Sequence, residues 1–143
     1  MIHVRFDSFD SLTHCTGTRA GRVKVIFTLP RKLSEAYGGQ PAPSFWPRAP
    51  LVYIEWYSRF TPTADPVHLM YVLSKPPPRA DGLPPGTIIP LSQIRQSCHL
   101  SPVFPSGAHG QVPQAWSSDN VLDIADRFYL NNWAGVYGYQ TLW

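Results

Sequence analysis

Proline is the residue that most constrains what this chain can fold into. The sequence contains 16 prolines among 143 residues, about twice the usual share of proline in globular proteins. Each proline lacks a backbone N–H donor and disfavours the interior of a helix. This density excludes a bundle of long helices and favours short strands joined by irregular loops.

Length and composition indicate one globular domain over residues 1–143, with an irregular N-terminal segment at 1–19. Hydrophobic residues make up 43% and charged residues 15% of the chain, which is typical of a folded domain and not of a disordered tail. No apolar run approaches the ~20 residues that a membrane span requires. Two cysteines and no export leader favour an intracellular, reducing compartment.

Alternating apolar residues predict two main strands. The strand in residues 21–30 places on one side Val23, Val25, Phe27 and Leu29. The strand in residues 51–60 places on one side Val52, Ile54, Trp56 and Phe60, and on the other Tyr53, Glu55, Tyr57 and Arg59. Both strands should be half-buried, and Pro30 should end the first one.

Shorter segments complete the predicted organisation. Residues 68–74 predict a third strand that forms a hairpin with the second, and residues 87–104 predict two short strands around a 3₁₀ turn. Residues 117–130 have the apolar spacing of a helix, with Ser117 or Ser118 as its N-cap. A last strand is expected at 136–143, and proline and glycine predict surface loops at 31–50 and 75–86.

The charges are distributed unevenly along the chain. Twelve basic against nine acidic residues give a net charge of +3. A candidate nucleic-acid-binding patch near the N-terminus consists of Arg19, Arg22, Lys24, Arg31 and Lys32. An acidic cluster, expected on one face of the helix, consists of Asp119, Asp123 and Asp126. The alternative for both groups is a solvated surface.

Two Cys-His pairs are the candidates for chemistry. A less favoured zinc site would use His14, Cys15, Cys98 and His99, but the usual Cys-x₂₋₄-Cys spacing is absent, which favours Cys98 as a buried structural residue. A hydrolase could be assembled from Cys98 with His99 or His109 and Asp123, yet no catalytic or nucleotide-binding motif accompanies them. We therefore expect no enzymatic activity, metal, cofactor or small-molecule substrate.

Aromatic residues surround the second predicted strand. Trp56 and Phe60 lie on its apolar side and should join the core. The candidate partner-binding face, which has the composition of a methylammonium cage, consists of Trp46, Tyr53, Glu55 and Tyr57. Ordinary sheet packing is the alternative, and the same tyrosines beside Arg59 could instead stack on nucleic-acid bases.

The order of these segments resembles the bromo-adjacent homology (BAH) domain. The matching segments are the strands at 20–27, 51–60 and 68–74, a Pro-x-x-x-Ile-x-x-x-Cys stretch within 88–100, and an aromatic strand at 127–133, which the resemblance implies where the apolar spacing predicts the end of a helix. The segments 22–30, 53–60, 94–104 and 128–133 are similar to a domain attached to basidiomycete mobile-element proteins of the Kyakuja-Dileera-Zisupton type. The resemblance implies a twisted, partly closed sheet or barrel with one short C-terminal helix, long proline-rich loops, and Cys98 in the core.

The resemblance also implies a function. It predicts a non-catalytic, nuclear interaction module of a chromatin- or mobile-element-associated protein. The expected partner is a histone peptide or nuclear protein, held against the aromatic face or along a strand edge. The alternatives are nucleic-acid binding through the basic patch and a purely structural domain that packs against a longer protein.

Overall fold

The described part of the chain is built mainly of short strands, as predicted. The structure is a computed structural model that describes residues 2–5, 18–34, 38–104 and 112–131. The strands are β1 (Ile2–Arg5), β2 (Thr18–Phe27), β3 (Leu51–Trp56), β4 (Tyr71–Ser74), β5 (Gly86–Pro90), β6 (Ile94–Ser97), β7 (His99–Pro102) and β8 (Arg127–Asn131). A 3₁₀ turn (Leu91–Gln93) and the single-turn helix α1 (Val121–Ile124) complete these elements.

The strands form two antiparallel sheets. The five-stranded sheet has the order β5-β3-β2-β1-β6, and the three-stranded sheet has the order β4-β8-β7. Within the described residues neither sheet closes into a barrel. The sequence predicts an irregular segment at 1–19, but the structure has strands at both of its ends. Residues 2–5 form β1, which lies between β2 and β6, and β2 begins at Thr18.

The five-stranded sheet is strongly curved, because its two edge strands are joined by only three residues. The pairing register places Pro90 of β5 level with Phe27 of β2, and Ile94 of β6 level with Arg19. In a flat sheet these two levels would lie about 26 Å apart along the strands and about 19 Å apart across them. The chain from Pro90 to Ile94 spans at most about 14 Å. The long strand β2 must therefore bend.

A β-bulge lies within β2 where it bends. The register with β3 shifts between Val23 and Val25, which leaves Lys24 without a pairing partner. Such a bulge adds one residue to a strand and increases its bend and twist. It also reverses the alternation beyond it, so Val25, predicted to be buried beside Val23, is 48% exposed.

The two faces of the five-stranded sheet contribute to separate cores. The first core lies inside the curve and contains Val52, Ile54, Trp56 and Ile89, with Val23, Leu91 and Ile94 packed against it. The second core joins the opposite face to the three-stranded sheet and contains Ala20, Tyr57, Leu73, Ala125, Phe128 and Leu130. The alternation of β3 thus places Val52, Ile54 and Trp56 correctly in the first core, but Phe60, predicted on the same side, lies beyond β3 and packs against the second core. The second core depends on contacts between the two sheets.

The predicted hairpin between β3 and β4 is wrong in its pairing. β4 pairs with β8, and β3 pairs with β2 and β5. The residues after β3 nevertheless run beside β4: the Ser58 N–H donates to the Ser74 carbonyl at 2.8 Å, and the Thr61 N–H donates to the Val72 carbonyl at 3.1 Å. The Ser58 and Thr61 hydroxyls accept bonds from the N–H groups of Ser74 and Val72.

The predicted C-terminal helix is shorter than its apolar spacing indicates. Only Val121–Ile124 is helical, and Asn120 precedes it in place of Ser117 or Ser118. Phe128 and Leu130 lie instead in β8, where both are buried. Because β8 pairs on both sides, tertiary packing overrides the local helical pattern. The predicted strand at 136–143 lies outside the described residues.

Gly21 permits the close approach of β2 to β3. A Cβ atom there would overlap Cγ2 of Ile54 and lie 3.1 Å from Cε3 of Trp56. We predict that Gly21→Ala lowers the free energy of unfolding by about 2 kcal/mol through overpacking, measured by urea denaturation.

The control for this prediction is the same substitution in an Ile54→Ala background. Removal of the Ile54 side chain removes the main overlap, so Gly21→Ala should cost clearly less stability there. Equal costs in the two backgrounds would contradict the close-packing argument.

Candidate functional site

Half of one face of the five-stranded sheet is not covered by the second sheet. Val25, Tyr53 and Ile88 are paired side by side across β2, β3 and β5, so all three project from the same face. Val25 is 48% and Ile88 58% exposed, while Tyr53 is half-buried. We call Val25, Tyr53, Glu55 and Ile88 the open face. Further along the same face, Ala20 and Tyr57 are buried in the second core.

Gly86 sets the position of the Tyr53 side chain. A Cβ atom at Gly86 would lie 2.7 Å from Cζ of Tyr53 and 2.8 Å from the carbonyl oxygen of Ile54. The tyrosine ring therefore occupies the space above β5 that any other residue at position 86 would fill. This arrangement places the tyrosine ring over β5, next to the paired residue Ile88.

The predicted aromatic face is only partly assembled. Tyr53 and Glu55 lie on the open face, but Tyr57 is 3% exposed and makes an edge-to-face contact with Phe128 at 5.5 Å. The prediction that Tyr57 is exposed is wrong, because β3 ends at Trp56 and the second core covers the next residue. Burial raises the pKa of Tyr57 to about 12. Trp46 is half-buried in the proline-rich loop, and no described ring contact joins it to Tyr53.

The predicted basic residues do not act as one free patch. The Arg19 Nε donates to the Tyr57 carbonyl at 2.7 Å, and its guanidinium lies 5.2 Å from the centre of the Trp56 ring. Burial, followed by repulsion from Arg59, lowers the pKa of Arg19. Arg31 and Lys32 are exposed in the loop after β2.

The two remaining cations of the predicted patch are paired with carboxylates. Arg22 forms an ion pair with Asp123 of α1, and Lys24 Nζ lies 3.5 Å from Oε2 of Glu55. The positive charge of Lys24 therefore balances the negative charge of Glu55 on the open face. A nucleic-acid phosphate would have to compete with both existing pairs.

The three aspartates of the predicted acidic cluster do not share one helix face either. Of the three aspartates predicted on one helix face, Asp123 alone lies in α1, with Asp119 before it and Asp126 after it. Besides accepting from Arg22, Asp123 offers its backbone carbonyl to Lys75 Nζ at 2.6 Å. These bonds tie α1 to β2 and to the segment after β4, so Asp123, of the three aspartates, connects the parts of the chain that belong to the two sheets.

The cysteine and histidine candidates do not form a described site. Cys98, predicted to be buried in the core, is half-buried and packs against the second core, while His99 is exposed. His14, Cys15 and His109 lie outside the described residues. Among the described residues, no three His, Cys, Asp or Glu side chains are grouped as metal ligands. Burial raises the pKa of the Cys98 thiol to about 11, so the nucleophilic thiolate is scarce near neutral pH.

Two surface features were not predicted from the sequence. The Asp65 carboxylate accepts bonds from the Val67 and His68 N–H groups and lies 2.8 Å from His68 Nδ1, and the His68 ring stacks on Tyr129. A shallow apolar groove of about 230 Å³ is lined by Pro102, Phe104, Val112, Trp116, Ser117, Ser118 and Val121. Neither feature brings a nucleophile and a base together.

Comparison with known proteins identifies no relative. No protein-family model, curated protein or solved structure is detectably similar to the chain. Within the described residues, no helix has the length and hydropathy of a membrane-spanning segment. The candidate site therefore stands on the geometry of its own residues.

We predict that the Arg22–Asp123 ion pair makes stability depend on pH. The bond from Arg22 holds the pKa of Asp123 below its ordinary value of 3.8. The pair therefore stabilises the fold above that value and ceases to do so as the pH falls through the lowered pKa. Asp123→Asn should have a lower Tm than wild type at neutral pH, and the two Tm values should converge on acidification.

Asp119→Asn is the matched control, because Asp119 is exposed and forms no ion pair among the described residues. Its Tm should follow wild type throughout. A constant difference between wild type and Asp123→Asn at every pH would contradict the assignment.

Alkylation should distinguish a structural Cys98 from a reactive one. Because the pKa of Cys98 is raised to about 11 from 9.0, its thiolate fraction at neutral pH is roughly a hundredfold below that of a free thiol. In a Cys15→Ser variant, iodoacetamide should label the native protein at least that much more slowly than the urea-unfolded protein. Equal labelling rates of the native and the unfolded protein, measured by mass spectrometry, would contradict the burial of the Cys98 thiol, and a faster rate in the native protein would show an activated thiol.

Proposed function

We propose that the chain is a non-catalytic, nuclear interaction module of a chromatin- or mobile-element-associated protein. Its open face holds an extended segment of a protein partner, such as a histone tail. The observation that carries this proposal is the row of Val25, Tyr53 and Ile88 across three strands, in which Val25 and Ile88 are exposed and Tyr53 is half-buried, on the face whose other end is covered by the second core at Ala20 and Tyr57.

The chemistry of the open face favours a polypeptide partner. Two aliphatic side chains and a tyrosine ring offer contact area whose burial on binding is favourable. Glu55 adds one carboxylate beside the ring, but Lys24 lies 3.5 Å from it, so the face carries little net charge. A partner would therefore bind mainly by packing, with weak dependence on salt.

The BAH resemblance supplies the nuclear setting of this proposal. The short connection between β5 and β6 and the bend of β2 are compatible with the partly closed sheet that the resemblance implies. The nucleic-acid alternative is weakened because Arg22 and Lys24 of the predicted basic patch form ion pairs. Of that patch, Arg31 and Lys32 are exposed in the loop and could still contact a phosphate. A purely structural role would use the same exposed apolar residues.

The open face can be tested with a fluorescent peptide that has the sequence of a histone N-terminal tail. Fluorescence anisotropy should show binding to wild type, and Val25→Ser and Tyr53→Ala should each weaken it about tenfold by removing contact area. Val67→Ser is the matched control, since Val67 is 80% exposed in the loop between β3 and β4. No binding by wild type, or an equal loss in the control, would contradict the proposal.

A salt titration separates the protein partner from nucleic acid. Peptide affinity should change little between about 50 and about 200 mM salt, whereas DNA affinity would fall steeply as phosphate contacts are screened. Labelled duplex and single-stranded DNA are measured in parallel. DNA binding that weakens with salt and is lost in an Arg31→Glu, Lys32→Glu double variant would contradict the peptide proposal and favour the nucleic-acid alternative.

A further inference from the structure

The outer edge of β5 carries backbone hydrogen-bonding groups to which no described residue bonds. The Trp56 N–H donates to the Pro85 carbonyl, and the Leu91 N–H donates to the Pro50 carbonyl. Backbone groups alternate in direction along a strand, so the odd-numbered residues from 85 to 91 bond to the β3 side. Gly86 and Ile88 therefore point their N–H and C=O groups outward, where no described strand pairs with them.

Prolines bound this free edge on both sides. The outward positions that flank Gly86 and Ile88 are Pro84 and Pro90, and neither has an N–H group. The Pro84 carbonyl already accepts a bond from Arg79 Nη2 at 3.3 Å. The edge thus offers two N–H donors and two C=O acceptors within residues 86–88, which we call the window. The window is too short for many strands to aggregate along it, but it is long enough to pair with one partner strand.

A second copy of the same edge matches this window when the two strands are antiparallel and centred on Thr87. Gly86 of each copy then lies opposite Ile88 of the other, and the two pairs form four backbone hydrogen bonds. Pro84 of each copy lies opposite Pro90 of the other, so no donor is left facing a proline. All outward N–H groups of the window are used.

The side chains fit the same register. Ile88 projects from the open face and is 58% exposed, and in the pairing it lies beside Gly86 of the other copy. Gly86 has no side chain, and the space above it holds the Tyr53 ring. Each exposed isoleucine would therefore pack against the tyrosine of the other copy, which supplies apolar contact beyond the backbone bonds.

We propose that two copies of this chain associate through β5, in a two-fold antiparallel pairing centred on Thr87 that joins their five-stranded sheets. The contact is small, so the dimer is weak and depends on protein concentration. The pairing places two open faces side by side on one continuous sheet. It does not require the proposed function, because it uses the edge of the sheet and not a bound peptide.

The register is tested by cross-linking. At the two-fold axis the two Thr87 residues face each other in a non-hydrogen-bonded pair, with Cα atoms about 4.5 Å apart, which lies within the range that a disulfide spans. Thr87→Cys should become a disulfide-linked dimer on mild oxidation. Ser92→Cys, exposed in the 3₁₀ turn, is the control and should cross-link no more than wild type.

The association itself is tested by analytical ultracentrifugation. Wild type should shift from monomer to dimer between about 10 and about 500 µM, as a weak interface does. Ile88→Pro should remain monomeric, because it removes an outward N–H group to which no described residue of the same chain bonds. Val25→Ser, which weakens the open face away from the edge, should dimerise like wild type. A wild type that is monomeric throughout, or Thr87→Cys that cross-links no more than Ser92→Cys, would overturn the proposal.

Discussion

The bend of β2 is the constraint on which the rest of the structure depends. One continuous strand pairs with β1 at its beginning and with β3 along the rest of its length, while the chain must cross from β5 to β6 in three residues. Gly21 lets β3 approach, and the bulge at Lys24 redirects the strand. Without this bend the edge strands could not be connected, and the first core would have no concave side.

The open face follows from the same bulge. Beyond Lys24 the side chains of β2 exchange faces, so Val25 projects beside Tyr53 and Ile88 instead of entering the first core. The second sheet covers this face only as far as Ala20 and Tyr57. The apolar surface proposed for partner binding is therefore the part of one sheet that the other sheet does not reach.

Charge holds the two sheets together where the sequence predicts separate basic and acidic surfaces. Arg22 and Asp123 are 101 residues apart and form one ion pair, and Lys75 binds the carbonyl of the same aspartate. Exposed pairs of this kind contribute little stability individually, but their position at the junction ties α1 to strands of both sheets. Arg19, Arg22 and Lys24, which the sequence groups in a nucleic-acid patch, thus bind other residues of the same fold, whereas Arg31 and Lys32 of that patch are exposed.

The sequence by itself determined the elements whose signal is local: the alternation of β3, the described part of the proline-rich loop at 31–50, the loop predicted at 75–86 apart from Gly86, which begins β5, the 3₁₀ turn before β6 and the mainly β character. It also indicated Cys98 as a structural residue. Only the tertiary structure decided that Tyr57 is buried, that Val25 is exposed and that β4 pairs with β8. It also decided that residues 127–131 form the strand that the BAH resemblance implies and not the end of the helix that the apolar spacing predicts. The physical reason is that local patterns report which side chains prefer burial, whereas the register between distant strands decides which neighbour buries them.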